Sequence, residues 1–154
     1  MIKRPILAGL FLALAFASTC AAAEDDPLGF WEHNTVSGVE RFRVHIQASS
    51  SFTIWCKKMQ DGYAAILDID IDGRSAPADQ LIHVVFDGAL LKLRADSEGN
   101  IRMNCPYCAD QMTWIWGKLR SGRTLQVAFD DDRYAAFGLT TAPSVLGHAV
   151  CTGK

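Results

Sequence analysis

Arg41-Phe42-Arg43-Val44-His45-Ile46-Gln47 is the stretch on which the fold turns. In an extended chain successive side chains point to opposite faces. Phe42, Val44 and Ile46 therefore fall on one side, and Arg41, Arg43, His45 and Gln47 on the other. A helical period of 3.6 residues would not separate the two sets so cleanly. One apolar and one polar face is the mark of a strand in an antiparallel sheet packed on one side only. The same period recurs downstream. Phe52, Ile54 and Cys56 share a side. Over residues 63–72, Leu67, Ile69 and Ile71 oppose Asp68, Asp70 and Asp72, and Asp72-Gly73 closes the strand as a turn. Leu81–Phe86 is almost wholly apolar, which predicts a strand covered on both faces. Asp87-Gly88 is a hairpin turn into residues 90–95, and Glu98-Gly99-Asn100 turns the chain into residues 101–104. Residues 125–129 and 134–139 complete the strands, with the acidic turn Asp130-Asp131-Asp132 between them.

The period changes once. Met112, Ile115, Trp116 and Leu119 lie at i, i+3, i+4 and i+7, one face of a helix, and Ser121-Gly122 stops it. Residues 143–150 predict a second, short helix. The expectation is a mainly β protein: an antiparallel β-sandwich of seven to eight strands with one or two short helices, stapled by disulfides. Residues 24–38 are expected to be the loose end of the domain.

The N-terminus reads as an export signal. Lys3 and Arg4 precede an apolar run over residues 6–17, too short to span a bilayer as a helix. Ala21-Ala22-Ala23 supplies the small residues that signal peptidase admits, and Glu24-Asp25-Asp26-Pro27 is a polar start for a mature chain. Residues 1–23 are thus expected to be a signal peptide cleaved after Ala23, leaving one domain over residues 24–154. The competing reading is lipid attachment at Cys20. Loss of Lys3 and Arg4 leaves 13 of the 15 basic residues against 17 acidic ones, a net charge near −4. That balance offers no basic face for nucleic acid. No further apolar run is long enough for a membrane span after signal removal. The expected location is periplasmic or secreted.

Four cysteines remain in the mature chain, Cys56, Cys105, Cys108 and Cys151. An even number in an oxidising compartment predicts two disulfides, and three pairings are possible. The preferred one joins the close pair Cys105–Cys108 and leaves Cys56–Cys151.

Three groups of residues carry candidate chemistry. Cys105-Pro106-Tyr107-Cys108 is the tetrapeptide of the glutaredoxin active site. At a helix N-terminus such a pair has a lowered thiol pKa and exchanges disulfides as thiolate. It lies late in the chain, with little βαβ pattern after it, which favours a structural clip. As half of a zinc site it lacks a second half, since His33, His45, His83 and His148 are scattered. Asp68, Asp70, Asp72 and Asp79 occupy positions one, three, five and twelve of a calcium-loop skeleton, D-x-D-x-D-G. Ser75, Pro77 and the flanking isoleucines suit a strand and turn better. Trp55 and Trp114 fall off the apolar faces of their segments, where an exposed tryptophan can anchor a partner, although core packing is the commoner use. Ser49, Ser50 and Ser51 have no orienting histidine in the local pattern and no G-x-S-x-G, so no nucleophile is assigned.

Two families resemble parts of this pattern. The type VI secretion-associated periplasmic proteins called TagO or VasI are similar in Thr53-Ile54-Trp55-Cys56, the segment from Met112 to Leu119, Gly122-Arg123-Thr124-Leu125-Gln126-Val127, Phe137-Gly138-Leu139 and Cys151. The invasion-associated locus B family is similar in Cys105 to Cys108 with Ala109, in Leu119-Arg120-Ser121-Gly122 and in the apolar C-terminal stretch. Either resemblance implies a secreted, disulfide-bonded β-sandwich without catalytic residues to carry over. The functional expectation is a non-enzymatic envelope protein that binds or supports a protein partner, without cofactor. The alternatives are a thiol-disulfide oxidoreductase using Cys105 and Cys108, and a calcium-dependent binding module.

Overall fold

The computed structural model describes residues 27–46 and 49–154. The expected signal peptide, its expected cleavage point at Ala23 and Cys20 lie outside the described residues, as does Gln47. The strands are β1 (Phe30–Val36), β2 (Val39–Ile46), β3 (Ser50–Met59), β4 (Gly62–Ile71), β5 (Arg74–Ser75), β6 (Leu81–Phe86), β7 (Ala89–Arg94), β8 (Ile101–Arg102), β9 (Thr124–Phe129) and β10 (Tyr134–Gly138). The helices are α1 (Pro106–Ser121) and α2 (Ala142–Val145). Every strand pair is antiparallel. The larger sheet runs β1-β2-β3-β4-β5, with β8 also on the edge of β4, and the smaller runs β10-β9-β6-β7.

Local chemistry explains the hairpins. Ser37-Gly38, Asp72-Gly73 and Asp87-Gly88 all have both residues at positive φ, the two-residue turn whose twist matches that of the strands it joins. Asp87 does more than turn. Its carboxylate accepts the backbone N–H groups of Arg123 and Thr124 and the Thr124 hydroxyl, so the β6–β7 turn is tied to the start of β9.

The alternating apolar residues of both sheets meet in one core. Phe42, Val44, Phe52, Ile54, Leu67 and Ile69 come from the larger sheet, and Ile82, Val84, Phe86, Leu125 and Val127 from the smaller. Helix α1 buries Met112, Ile115, Trp116 and Leu119, the face that the i, i+3, i+4, i+7 spacing predicts. Its tryptophans reach both sheets: Trp116 meets Phe42 edge-on at 5.1 Å, and Trp114 meets Phe86 edge-on at 5.7 Å. The Trp116 indole N–H donates to the Gly147 carbonyl at 3.0 Å, which docks the C-terminal segment on the helix. Cys56 is bonded to Cys151, so the same segment is held to β3.

Two expectations need correction. Residues 30–36, within the stretch expected to be loose, form β1. Glu32, His33, Asn34 and Thr35 give it no apolar pattern of its own, and pairing with β2 along its whole length sets it. The Trp31 indole N–H donates to the Gly138 carbonyl and the Trp31 backbone N–H to the Thr141 hydroxyl, which anchor the strand against β10 and α2. Gly29, at φ 81°, lets the chain enter β1 where a Cβ would lie 2.3 Å from the His45 carbonyl oxygen. Second, β6 is not covered on both faces. Ile82, Val84 and Phe86 are buried, whereas Leu81, His83 and Val85 are half-exposed.

Candidate functional site

Antiparallel pairing arranges the outer face of the larger sheet in rows. The strand register brings His45, Ser51 and Asp70 to one level, Arg43, Thr53 and Asp68 to the next, and Arg41, Trp55 and Ile66 to a third. On β1, Phe30, Glu32 and Asn34 extend the same three rows. The result is a column of basic side chains on β2, hydroxyls and an indole on β3, and carboxylates on β4. Ser51 and Thr53 are buried at 3% and 4% exposure although they face outward, because longer charged side chains flank them on both neighbouring strands.

The charges are held in place. Arg41 donates to Asn34 Oδ1 at 3.0 Å and Glu32 Oε1 at 3.3 Å, and its guanidinium lies 5.8 Å from the centre of the Trp55 ring. The Trp55 indole N–H in turn reaches Asp68 Oδ2 at 3.4 Å. Asp70 accepts the Ser75 hydroxyl at 3.0 Å. Burial pushes the Asp68 carboxyl above the ordinary carboxylate range, and the Asp70 charge beside it adds to the shift; the Trp55 N–H and Arg43 oppose it. Arg41, Arg43, Thr53, Trp55, Asp68 and Asp70 border a depression of ≈ 190 Å³. Trp55 also borders a second, largely apolar hollow of ≈ 430 Å³ with Val39, Met59, Ala64 and Ile66, which Lys57, Arg102 and Asn104 also line. Charged and apolar halves therefore share Trp55 and form one continuous platform.

The other candidate residues are distributed over the molecule. Cys105 and Cys108 are bonded to each other. Cys105 is exposed at the N-cap of α1, where its sulfur accepts the Cys108 backbone N–H at 3.1 Å. Among the described residues no three His, Cys, Asp or Glu side chains come together to hold a metal ion. Of the calcium-loop residues, Asp68 and Asp70 belong to the platform, while Asp72 and Asp79 sit in separate turns at positive φ. His33 stacks on Phe42 and meets Glu40 at 2.6 Å, His83 lies 3.9 Å from Asp130, and His148 lies 3.2 Å from Arg120. His45 alone belongs to the platform. Ser50 is buried and accepts the Asp72 backbone N–H. Trp114 is 39% exposed, with Lys118 over its ring at 5.4 Å.

Sequence reasoning placed Arg41, Arg43 and His45 on a polar face but missed that the face is a site. The usable signal was the lining up of three alternating segments, which requires the register of each turn.

Fold and site together define a disulfide-stapled antiparallel sandwich that presents a mixed apolar and charged sheet face. Residues 29–146 match the YfjT family, and the chain belongs to it. The match spans every strand and α1, so it covers the platform and both Cys105 and Cys108. No curated protein and no solved structure gives a significant match.

Proposed function

We propose that this chain is a non-enzymatic exported protein of the bacterial envelope that binds a protein partner through the outer face of its larger sheet. The observation that carries the reading is the continuity of the apolar hollow around Met59 and Ile66 with the charged depression around Arg43 and Asp68. Protein interfaces combine an apolar centre with aromatic and arginine anchors and a polar surround, and Trp55 beneath Arg41 is such an anchor. Two disulfides suit an oxidising compartment. No helix among the described residues is long and apolar enough to cross a membrane. The resemblance of the Cys56, α1 and Cys151 segments to the TagO or VasI proteins, and of the Cys105 segment to the invasion-associated locus B family, supports the same setting.

The test is a photo-crosslinking residue placed at Met59, with a control at Gln126 on the outer face of the smaller sheet. The expected result is a protein adduct from position 59 that Trp55→Ala removes, and none from position 126. Equal labelling from both positions, or none from position 59 in cells that express the chain, overturns the reading.

One observation favours a second reading, thiol-disulfide exchange. Cys105 is solvent-exposed and caps a helix of 16 residues, where the positive end of the helix stabilises a thiolate. A partner thiolate would attack Cys105 Sγ, the bond to Cys108 would break, and Cys108 would leave as thiolate. The partner's second thiol would then release Cys105 and close the partner's own disulfide, so one dithiol is oxidised as this pair is reduced. Incubation with a reduced dithiol peptide, read by mass spectrometry, should give the peptide disulfide and the reduced pair. No transfer at equilibrium removes this reading.

A further inference from the structure

We propose that the outer face of the larger sheet takes a second copy of the same chain, related by a two-fold axis lying along β3. The inference rests on the reading of this face as a binding surface and names its partner. A half-turn about β3 carries β2 of one copy over β4 of the other while keeping each residue at its own level along the strand. The register then decides what meets what. At the level of Thr53, Arg43 of each copy faces Asp68 of the other, which makes two ion pairs. At the level of Ser51, His45 faces Asp70. At the level of Trp55 the two indoles meet on the axis, with Arg41 of each copy against Ile66 of the other. One level further, Val39 faces Ala64 and the two Lys57 side chains meet at the axis, where each carries its ammonium outward along its apolar stem.

The face is thus complementary to itself. A column of basic side chains and a column of carboxylates on either side of the axis strand exchange places under the rotation, as an isologous interface requires. Within one copy, burial and the Asp70 charge raise the Asp68 pKa, and the Arg43 charge offsets only part of that rise. In the dimer Asp68 and Asp70 each face a basic side chain of the other copy, in a setting with less water. Sheets packed face to face keep their strand directions within about 30° of each other, and an axis along β3 keeps the strand that carries Ser51, Thr53 and Trp55 aligned in the two copies.

The test uses opposite charge changes in separate chains. Arg43→Asp alone places two carboxylates at each contact, and Asp68→Arg alone places two guanidinium groups there. Mixing the two chains restores both pairs, because Arg43 meets Asp68 at one contact and the two introduced residues meet at the other. Sedimentation of the wild type, each variant and the equimolar mixture, up to millimolar chain, reads the outcome. The wild type is expected to be a reversible dimer, each variant alone to associate at least about tenfold more weakly, and the mixture to recover. His45→Asp with Asp70→Lys repeats the design one level away and serves if a member of the first pair does not fold. A wild type that stays monomeric throughout, variants that associate as the wild type does, or mixtures no better than their components overturn the proposal. If the mixtures fail while Met59 crosslinks to a different protein, the self-association falls and the partner-binding function stands.

Discussion

At the scale of single residues, two aspartates respond to pH in opposite directions. Asp87 accepts hydrogen bonds from the backbone of Arg123 and then of Thr124, which hold its carboxyl below the ordinary value of 3.8. A lowered folded pKa means stability that is present above the unfolded value and is lost as pH falls through the folded one. Asp87→Asn keeps a side chain that tolerates the positive φ of this turn and removes the charge. Its melting temperature should fall below wild type at pH 7 and approach it at pH 2, as thermal melts at the two pH values would show. Asp68 is the reverse case. Burial raises its folded pKa, with Asp70 adding to the shift, so its contribution is complete below the unfolded value and is lost as pH rises through the folded one. Asp68→Asn should therefore melt slightly higher than wild type at pH 7, and equally at pH 3, in solution dilute enough to stay monomeric. Partial solvent exposure keeps the gain under about 1 kcal/mol. Neither behaviour was legible in the sequence. Asp87 reads there as half of a turn, because the partners that lower its pKa are 36 and 37 residues away.

At the scale of elements, α1 was the most legible part of the chain. Its spacing names the four buried residues, and Gly122 ends it where Ser121-Gly122 predicts. Strands with alternating faces were equally plain, since a two-residue period leaves only one way to bury the apolar set. β1 was not, because its residues carry no period and the strand exists through its partner. The platform failed for a related reason: each strand shows a polar face, but only the register shows which polar residues stand side by side. Ile115 is fully buried on the inner face of α1. Ile115→Ala should cost about 3 kcal/mol in a denaturant titration, as expected for a large core truncation. Trp116→Phe keeps the edge contact on Phe42 and removes the indole N–H that donates to the Gly147 carbonyl. It should cost about 1–3 kcal/mol, and hydrogen exchange should show the gain in mobility at residues 145–154 rather than in the strands.

At the scale of the whole molecule, the two disulfides are unequal. Cys56–Cys151 spans 95 residues of sequence and Cys105–Cys108 spans 3. In the chain-entropy account the long bridge contributes about 4.7 kcal/mol and the short one about 2 kcal/mol. C56S/C151S should accordingly lose more than twice the stability that C105S/C108S loses, and a serine at position 105 can still cap α1. Equilibrium unfolding of the two double variants checks the ratio. The same spacing sets an order in time for a chain that emerges from its N-terminus. Cys56 appears first, and its partner follows 95 residues later, about 5–20 s at ordinary synthesis rates. During that wait the first free thiols to arrive are those of Cys105 and Cys108. Ring closure between near neighbours in sequence is faster than closure across a long loop, so the pair consumes itself before either member can capture Cys56. The short bridge is thus expected to keep Cys105 and Cys108 from competing for Cys56. With Cys108 replaced by alanine, Cys105 stays available, and peptide mapping of newly made chains should find Cys56 joined to Cys105 in place of Cys151.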